Sequence, residues 1–133
     1  GEKIPDDISQ FDGMFCMGGP MDTWMIEKYP WIVEEKNKIK EYVIDLEKPF
    51  LGFCLGCQFL GEVVGGKVVK SSPPEIGILD INMEEKTKDN HLFSSFSNKL
   101  QTMQILNVKA TKKYLQWDVC KTSSETAVGF VQQ

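Results

Sequence analysis

Arginine is missing from this sequence. All 15 basic residues are lysine, against 19 acidic residues, and the formal net charge is −4. Surfaces that bind nucleic acid combine an excess of basic residues with arginine side chains that bind phosphates through two N–H groups. Neither is present, so we predict that the protein does not bind nucleic acid. The lysines at Lys36, Lys38 and Lys40 are predicted to lie on a solvated face instead.

Histidine is scarce as well, since His91 is the only one, and cysteine is limited to four residues. Cys54 and Cys57 form a C-x-x-C pair, which is typical of zinc sites and of thioredoxin-like redox centres. A zinc site of this kind needs a second pair, and Cys16 and Cys120 are not spaced as one. We therefore predict no bound metal. A redox pair formed by Cys54 and Cys57 stays open as an alternative.

The sequence also lacks long apolar runs and a signal peptide. A helix that crosses a membrane needs about 20 consecutive apolar residues. We therefore predict no membrane association and a cytoplasmic location. With 133 residues, 41% hydrophobic and 26% charged, the composition is that of one globular domain over residues 1–133.

The stretch from Pro49 to Gly66 organises the rest of the chain. Residues 50–53 form an apolar run bounded by Pro49, which predicts a buried strand. Apolar residues at helical spacing follow until Gly65 and Gly66 stop the helix. A strand, a tight turn and a helix, with Cys54 at the apex, predict a nucleophile elbow. The alternative is a buried cysteine in an ordinary strand-to-helix connection.

The elbow explains the residue types around Cys54. Gly52 and Gly56 flank it at two residues on each side, where a Cβ would crowd a sharp turn. The start of the helix would favour a thiolate, because its N–H groups are unpaired there. The N–H of Leu55 is placed to hold a developing oxyanion.

The remaining segments predict an α/β fold. A strand at 13–17 leads into a Gly-Gly-Pro loop, and a helix that starts near Pro30 returns so that the strand at 50–53 pairs in parallel. We expect a flavodoxin-like, mostly parallel sheet with helices on both faces and a smaller antiparallel piece near the end. Further strands are predicted at 67–70, 76–83 and 100–104, with a break at 71–74, a helical turn at 91–96 and weaker strand candidates at 105–110, 114–117 and 127–131.

Two motifs carry a resemblance to a known family. The heptapeptide at 52–58, Gly-Phe-Cys-Leu-Gly-Cys-Gln, resembles the Gly-x-Cys-x-Gly-x-Gln motif of class I glutamine amidotransferases. Residues 17–21, Met-Gly-Gly-Pro-Met, are similar to that family's Gly-Gly-Pro loop. The likeness covers about residues 5–104, and the segments at 29–31 and 75–77 look like the amidotransferase half of GMP synthetase.

The resemblance implies roles for particular residues. By this match Cys54 is the nucleophile, the N–H of Leu55 binds the oxyanion and Gln58 helps to hold the substrate. The loop residues, which contribute the other oxyanion and substrate contacts, are Gly18, Gly19 and Pro20.

The implied reaction is hydrolysis of a glutamine side-chain amide, or of a similar amide, through a cysteine thioester. Ammonia is released to a partner domain or chain, and the resemblance implies no cofactor. Two alternatives of the same fold stay open, a γ-glutamyl hydrolase and a catalytically inactive binding module.

The sequence departs from the family pattern at both ends. The family's His-x-Glu motif, which supplies the base, does not occur, and neither do the strand and helix that precede residue 1 in the family. His91 falls in a charged segment that predicts a surface turn. Three explanations fit: separate segments of a longer chain, a fragment of a complete enzyme, or an inactive relative.

Overall fold

The structure, a computed structural model, describes residues 2–83, 94–95, 99–111, 118–121 and 128–131. The described part contains two α-helices and six strands. In chain order they are β1 (Met14–Cys16), α1 (Trp31–Lys40), β2 (Phe50–Phe53), α2 (Leu55–Val63), β3 (Lys67–Met83), β4 (Lys99–Thr111), β5 (Asp118–Lys121) and β6 (Val128–Val131).

The described strands form one six-stranded sheet in the order β1-β2-β6-β5-β3-β4. β1 and β2 are parallel, with Phe15 opposite Leu51, and α1 connects them as predicted. The other pairings among the described strands are antiparallel. The architecture is α/β as expected, but antiparallel pairing extends well beyond the small piece that the sequence predicts.

A hydrophobic core lies between the β1–β2 pair and the two helices. Tyr42, Phe50 and Phe59 are its largest fully buried side chains. Phe50 lies in β2 and Phe59 in α2, and the apolar faces of α1 and α2 cover the strand pair. Buried residues of this cluster are Cys16, Ile32, Ile39, Val43, Phe50, Leu55, Phe59, Leu60 and Val64.

The helix that begins after Pro30 does not keep α-helical geometry to its end. α1 gives way to a π-helical turn over Glu41–Asp45, and the N–H of Leu46 donates to the Glu41 carbonyl at 2.9 Å. The N–H of Lys48 donates to the Tyr42 carbonyl at 3.1 Å. The wider turn keeps both Tyr42 and Val43 buried as the chain leaves for β2.

The predicted break at 71–74 is wrong, because β3 runs through it without interruption. The Ser-Ser-Pro-Pro segment instead coincides with a register shift between Lys70 and Glu75 in the pairing with β4. Proline has no N–H to give to a ladder, and irregular positions of a sheet tolerate that loss. The strand candidates at 100–104 and 105–110 belong to one strand, β4.

The later predictions have mixed outcomes. The strand candidate at 127–131 is confirmed as β6, while β5 has no counterpart among the predicted strands. The candidate at 114–117 and most of the helical turn predicted at 91–96, including His91, lie outside the described residues. Within the described part, every helix is too short or too polar to cross a membrane.

Candidate active site

Cys54 lies in the turn between β2 and α2. The strand ends at Phe53 and the helix begins at Leu55, which confirms the predicted strand, turn and helix. The backbone of Cys54 has φ 50° and ψ −109°, a conformation that side-chain-bearing residues rarely adopt. Such strain is costly, by about 1–3 kcal/mol, and collects at functional positions.

The flanking glycines allow three backbone segments to meet at the elbow. A Cβ on Gly52 would lie 2.7 Å from the backbone nitrogen of Cys57. A Cβ on Gly56 would lie 2.7 Å from the carbonyl carbon of Cys16 and closer still to its oxygen. Any larger residue would therefore push β1, β2 and the first turn of α2 apart.

The Gly-Gly-Pro loop that follows β1 packs against this elbow. A Cβ on Gly18 would lie 3.6 Å from the Cys54 Sγ, and one on Gly19 would lie 3.2 Å from the Leu55 Cδ2. Pro20 is exposed at the bend beyond them. The structure thus brings the predicted loop and the predicted nucleophile together, and Cys54 itself is partly exposed.

The other predicted residues lie on the first turns of α2. Leu55 is buried with 3% of its surface exposed, at the helix start, where backbone N–H groups lack intrahelical acceptors. Gln58 follows one turn after Cys54, and its N–H donates to the Cys54 carbonyl at 3.1 Å. Its side chain is buried, and the Oε1 has no hydrogen-bond partner among the described residues. A buried carbonyl oxygen of that kind would accept from an N–H of a bound molecule.

Cys57 is poorly suited to form a redox-active disulfide with Cys54. Only 1% of its surface is exposed, and burial raises the pKa of its thiol to about 12, with the nearby Cys54 adding to the effect. Thiol–disulfide exchange needs a thiolate that a partner can reach. The buried thiol of Cys16 donates to the Glu35 Oε1 at 3.0 Å, and its pKa is also raised, chiefly by burial.

The sequence did not predict a group of three polar residues that contact one another near the Gly-Gly-Pro loop. Lys36 Nζ lies 2.6 Å from the Glu62 Oε2 and donates to the Thr23 carbonyl at 2.8 Å, while the Thr23 hydroxyl donates to the Glu62 Oε1 at 2.7 Å. The prediction of a solvated face is therefore wrong for Lys36, and also for Lys38, whose side chain is 20% exposed, whereas Lys40 is exposed as predicted. No local signal marks this set, because its members are far apart in sequence and meet only when the helices pack.

Curated relatives share sequence across most of the chain. One component of the glutamine-hydrolyzing GMP synthase of Sulfurisphaera tokodaii is 32% identical over 88 residues, which are 64% of this chain and 42% of that protein. The corresponding component from Saccharolobus solfataricus is 26% identical over 129 residues, 95% of this chain and 62% of that protein. The chain thus spans less than two thirds of the length of either relative.

A solved structure and a family model agree with these relatives. A glutamine amidotransferase of Thermotoga maritima superposes with a TM-score of 0.81 at 28% identity, covering 98% of this chain and 56% of that one. This likeness confirms the predicted flavodoxin-like α/β fold. The family model described as Glutamine amidotransferase class-I matches residues 2–132. The chain belongs to the class-I glutamine amidotransferase family.

Proposed function

We propose that this chain hydrolyses the side-chain amide of glutamine, with Cys54 as the nucleophile, and releases ammonia. The observation that carries the proposal is the strained Cys54 backbone, at φ 50°, directly opposite the Gly18 backbone. The glutamine-hydrolysing relatives support the substrate and disfavour a γ-glutamyl hydrolase or an inactive binding module.

The reaction follows from a thiolate attacking an amide. The Cys54 sulfur bonds to the Cδ carbon of glutamine, and the carbonyl electrons move to the oxygen. The resulting tetrahedral intermediate collapses, the C–N bond breaks, and the nitrogen takes up a proton and leaves as ammonia. Water then attacks the thioester, the C–S bond breaks, and glutamate leaves with the thiol regenerated.

The oxyanion of this intermediate needs donors that are fixed before the reaction. We assign one to the N–H of Leu55, at the start of α2, and the other to the Gly18-Gly19 backbone, which packs against the same turn. Pro20 has no N–H, so the donor on the loop side must come from the glycines that precede it. Both donors belong to backbone, which keeps the charge-binding geometry rigid.

Gln58 is proposed to bind the substrate. Its side-chain oxygen is buried without a partner among the described residues, at a position one helical turn from Cys54. Leaving such an acceptor unpaired costs about 1–3 kcal/mol, so a donor from the bound glutamine would recover that free energy. The amide of the substrate supplies N–H groups of the required kind.

The two proton transfers need a base, which the family supplies from a His-x-Glu motif. The sequence contains no such motif, and its only histidine, His91, lies outside the described residues. We therefore assign the base to none of the described side chains. The ammonia is proposed to pass to a partner domain or chain, since the relatives are named as subunits.

The test is a glutaminase assay of the full-length protein carrying Cys54→Ser. We expect a loss of about 10⁴-fold or more in kcat, because a weakly acidic hydroxyl replaces the thiolate. Cys57→Ala is the matched control, since it removes the other thiol of the C-x-x-C pair and should keep the activity. A chloroketone analogue of glutamine should alkylate Cys54 in preference to the other thiols.

Two results would overturn the proposal. Undiminished glutaminase activity in the Cys54→Ser protein would show that Cys54 is not the nucleophile. A wild-type protein that neither hydrolyses glutamine nor reacts with the chloroketone would instead be an inactive binding relative.

A further inference from the structure

We propose that Thr23, Lys36 and Glu62 form a positioning ring that holds the Gly18-Gly19 loop at its catalytic distance from Cys54. This inference rests on the proposed function of the loop as an oxyanion donor. The three residues do not touch the reacting atoms in the proposal, so they act through the loop. The ring lies on three separate parts of the chain, namely the loop after β1, α1 and α2.

The ring is closed by three contacts. The Thr23 hydroxyl donates to one carboxylate oxygen of Glu62 at 2.7 Å, and Lys36 Nζ lies 2.6 Å from the other. Lys36 also donates to the Thr23 carbonyl at 2.8 Å. Both ends of Thr23 are therefore held, the side chain by α2 and the backbone by α1. Each contact involves a charged group, and such hydrogen bonds are stronger than neutral ones.

Burial makes the ring more rigid than a surface ion pair. Thr23 is fully buried, and the Lys36 and Glu62 side chains are only 23% and 28% exposed. The Lys36 Nζ also lies 5.5 Å from the centre of the Phe59 ring, which is buried in the core. In the proposal this partly buried ion pair serves to fix the geometry of the loop, since a buried pair is by itself weak evidence for net stability.

The position of the ring links it to the nucleophile. Cys54 precedes the first residue of α2, and Glu62 lies in the last turn of the same helix. Thr23 follows Gly19 by only four residues, in a segment of turns between β1 and α1. Because α2 begins directly after Cys54 and carries the carboxylate that accepts from Thr23, this helix links the loop to the proposed nucleophile. A misplacement of about 1 Å at a reacting centre can cost about 10²-fold in rate.

The main test is Thr23→Val in the full-length protein, which keeps the shape of the side chain but removes the hydroxyl. We expect kcat for glutamine hydrolysis to fall about 10- to 100-fold, while KM changes by about twofold or less, since the loop acts on the transition state. Thr23→Ser restores the donor and should restore most of kcat. Lys40→Met, which removes an exposed lysine from the helix that carries Lys36, is the control and should leave kcat unchanged.

A second measurement does not depend on activity. Backbone amide hydrogen exchange at 18–26 should be at least about tenfold faster in Thr23→Val than in wild type, because the loop loses a bond to a charged group. Unchanged amide hydrogen exchange at 18–26, or a Thr23→Val protein with the kcat of wild type, would overturn the proposal that the ring positions the loop. A fall in both kcat and thermal stability that Thr23→Ser does not repair would overturn it too. If Cys54→Ser keeps full activity, the proposed function fails, and the exchange rates still decide whether the ring holds the loop.

Discussion

Replacing Gly56 with alanine should separate β1 from the elbow. The new Cβ would lie 2.7 Å from the carbonyl carbon of Cys16 and 2.8 Å from its Cβ. Carbon atoms in contact normally stand about 3.5–4.0 Å apart. The two backbones must therefore move apart by roughly 1 Å, because the atoms in the way are backbone atoms of Cys16 and its Cβ, and no rotamer change can move these.

The size of the effect follows from this rigidity. Overpacking a well-packed core costs about 1–3 kcal/mol, and a backbone obstacle places Gly56→Ala near the upper end. Since small domains have a free energy of unfolding of about 5–15 kcal/mol, a loss of about 3 kcal/mol is a large fraction. For a chain of this size we expect the melting temperature to fall by roughly 10 °C.

Urea unfolding followed by circular dichroism measures the loss directly. Gly13→Ala is the control, because a Cβ there meets nothing within 4 Å, and its free energy of unfolding should change by about 0.5 kcal/mol or less. Gly52→Ala should resemble Gly56→Ala, since its Cβ would lie 2.7 Å from the Cys57 nitrogen. A Gly56→Ala protein as stable as the Gly13→Ala protein would refute the packing argument.

Three further predictions concern the elbow, the core and pH. Cys54→Gly should have a free energy of unfolding in urea about 1 kcal/mol or more above that of Cys54→Ala, because glycine adopts a φ of 50° without strain. Equal free energies would mean that the turn is unstrained. Tyr42→Phe should lower the free energy of unfolding by about 1 kcal/mol, because the buried hydroxyl donates to the Phe11 carbonyl at 2.8 Å. An unchanged free energy of unfolding would show that this hydrogen bond does not stabilise the fold. The buried Cys57 thiol has its pKa raised from 9.0 to about 12, so its stabilising effect is complete below pH 9 and lost as the pH rises towards 12. The melting temperature of Cys57→Ala should accordingly fall less between pH 8 and about pH 10.5 than that of wild type, and parallel curves would contradict this.

The elbow could be predicted because its signals are local. Pro49, the apolar run at 50–53 and the helical spacing after Cys54 lie within a few residues of one another, and each matches one backbone geometry. The structure has β2 at Phe50–Phe53 and α2 at Leu55–Val63, as those signals indicate. Gly52 and Gly56 mark the turn for the same reason, since only glycine fits between the packed backbones.

Features that depend on distant partners were not predictable from spacing. Ser-Ser-Pro-Pro at 71–74 is typical of a strand end, yet β4 keeps β3 extended on both sides of the register shift. Lys36 resembles one lysine of a solvated run, yet the packing of α1 on α2 places it against Glu62. In both cases tertiary pairing outweighs the local preference.

The strain at Cys54 persists because its neighbours on both sides are anchored in the core. Phe50 before the turn, and Phe59 and Leu60 after it, are fully buried. Burying side chains of this size stabilises a fold by about 1.5–3 kcal/mol each, more than the roughly 1–3 kcal/mol that an unfavourable φ costs. The turn cannot relax without withdrawing one of these anchors from the core. The Cys54 sulfur is thus held near the Gly18 backbone by fully buried side chains on both sides of the turn, and the proposed attack on an amide requires a nucleophile fixed in this way.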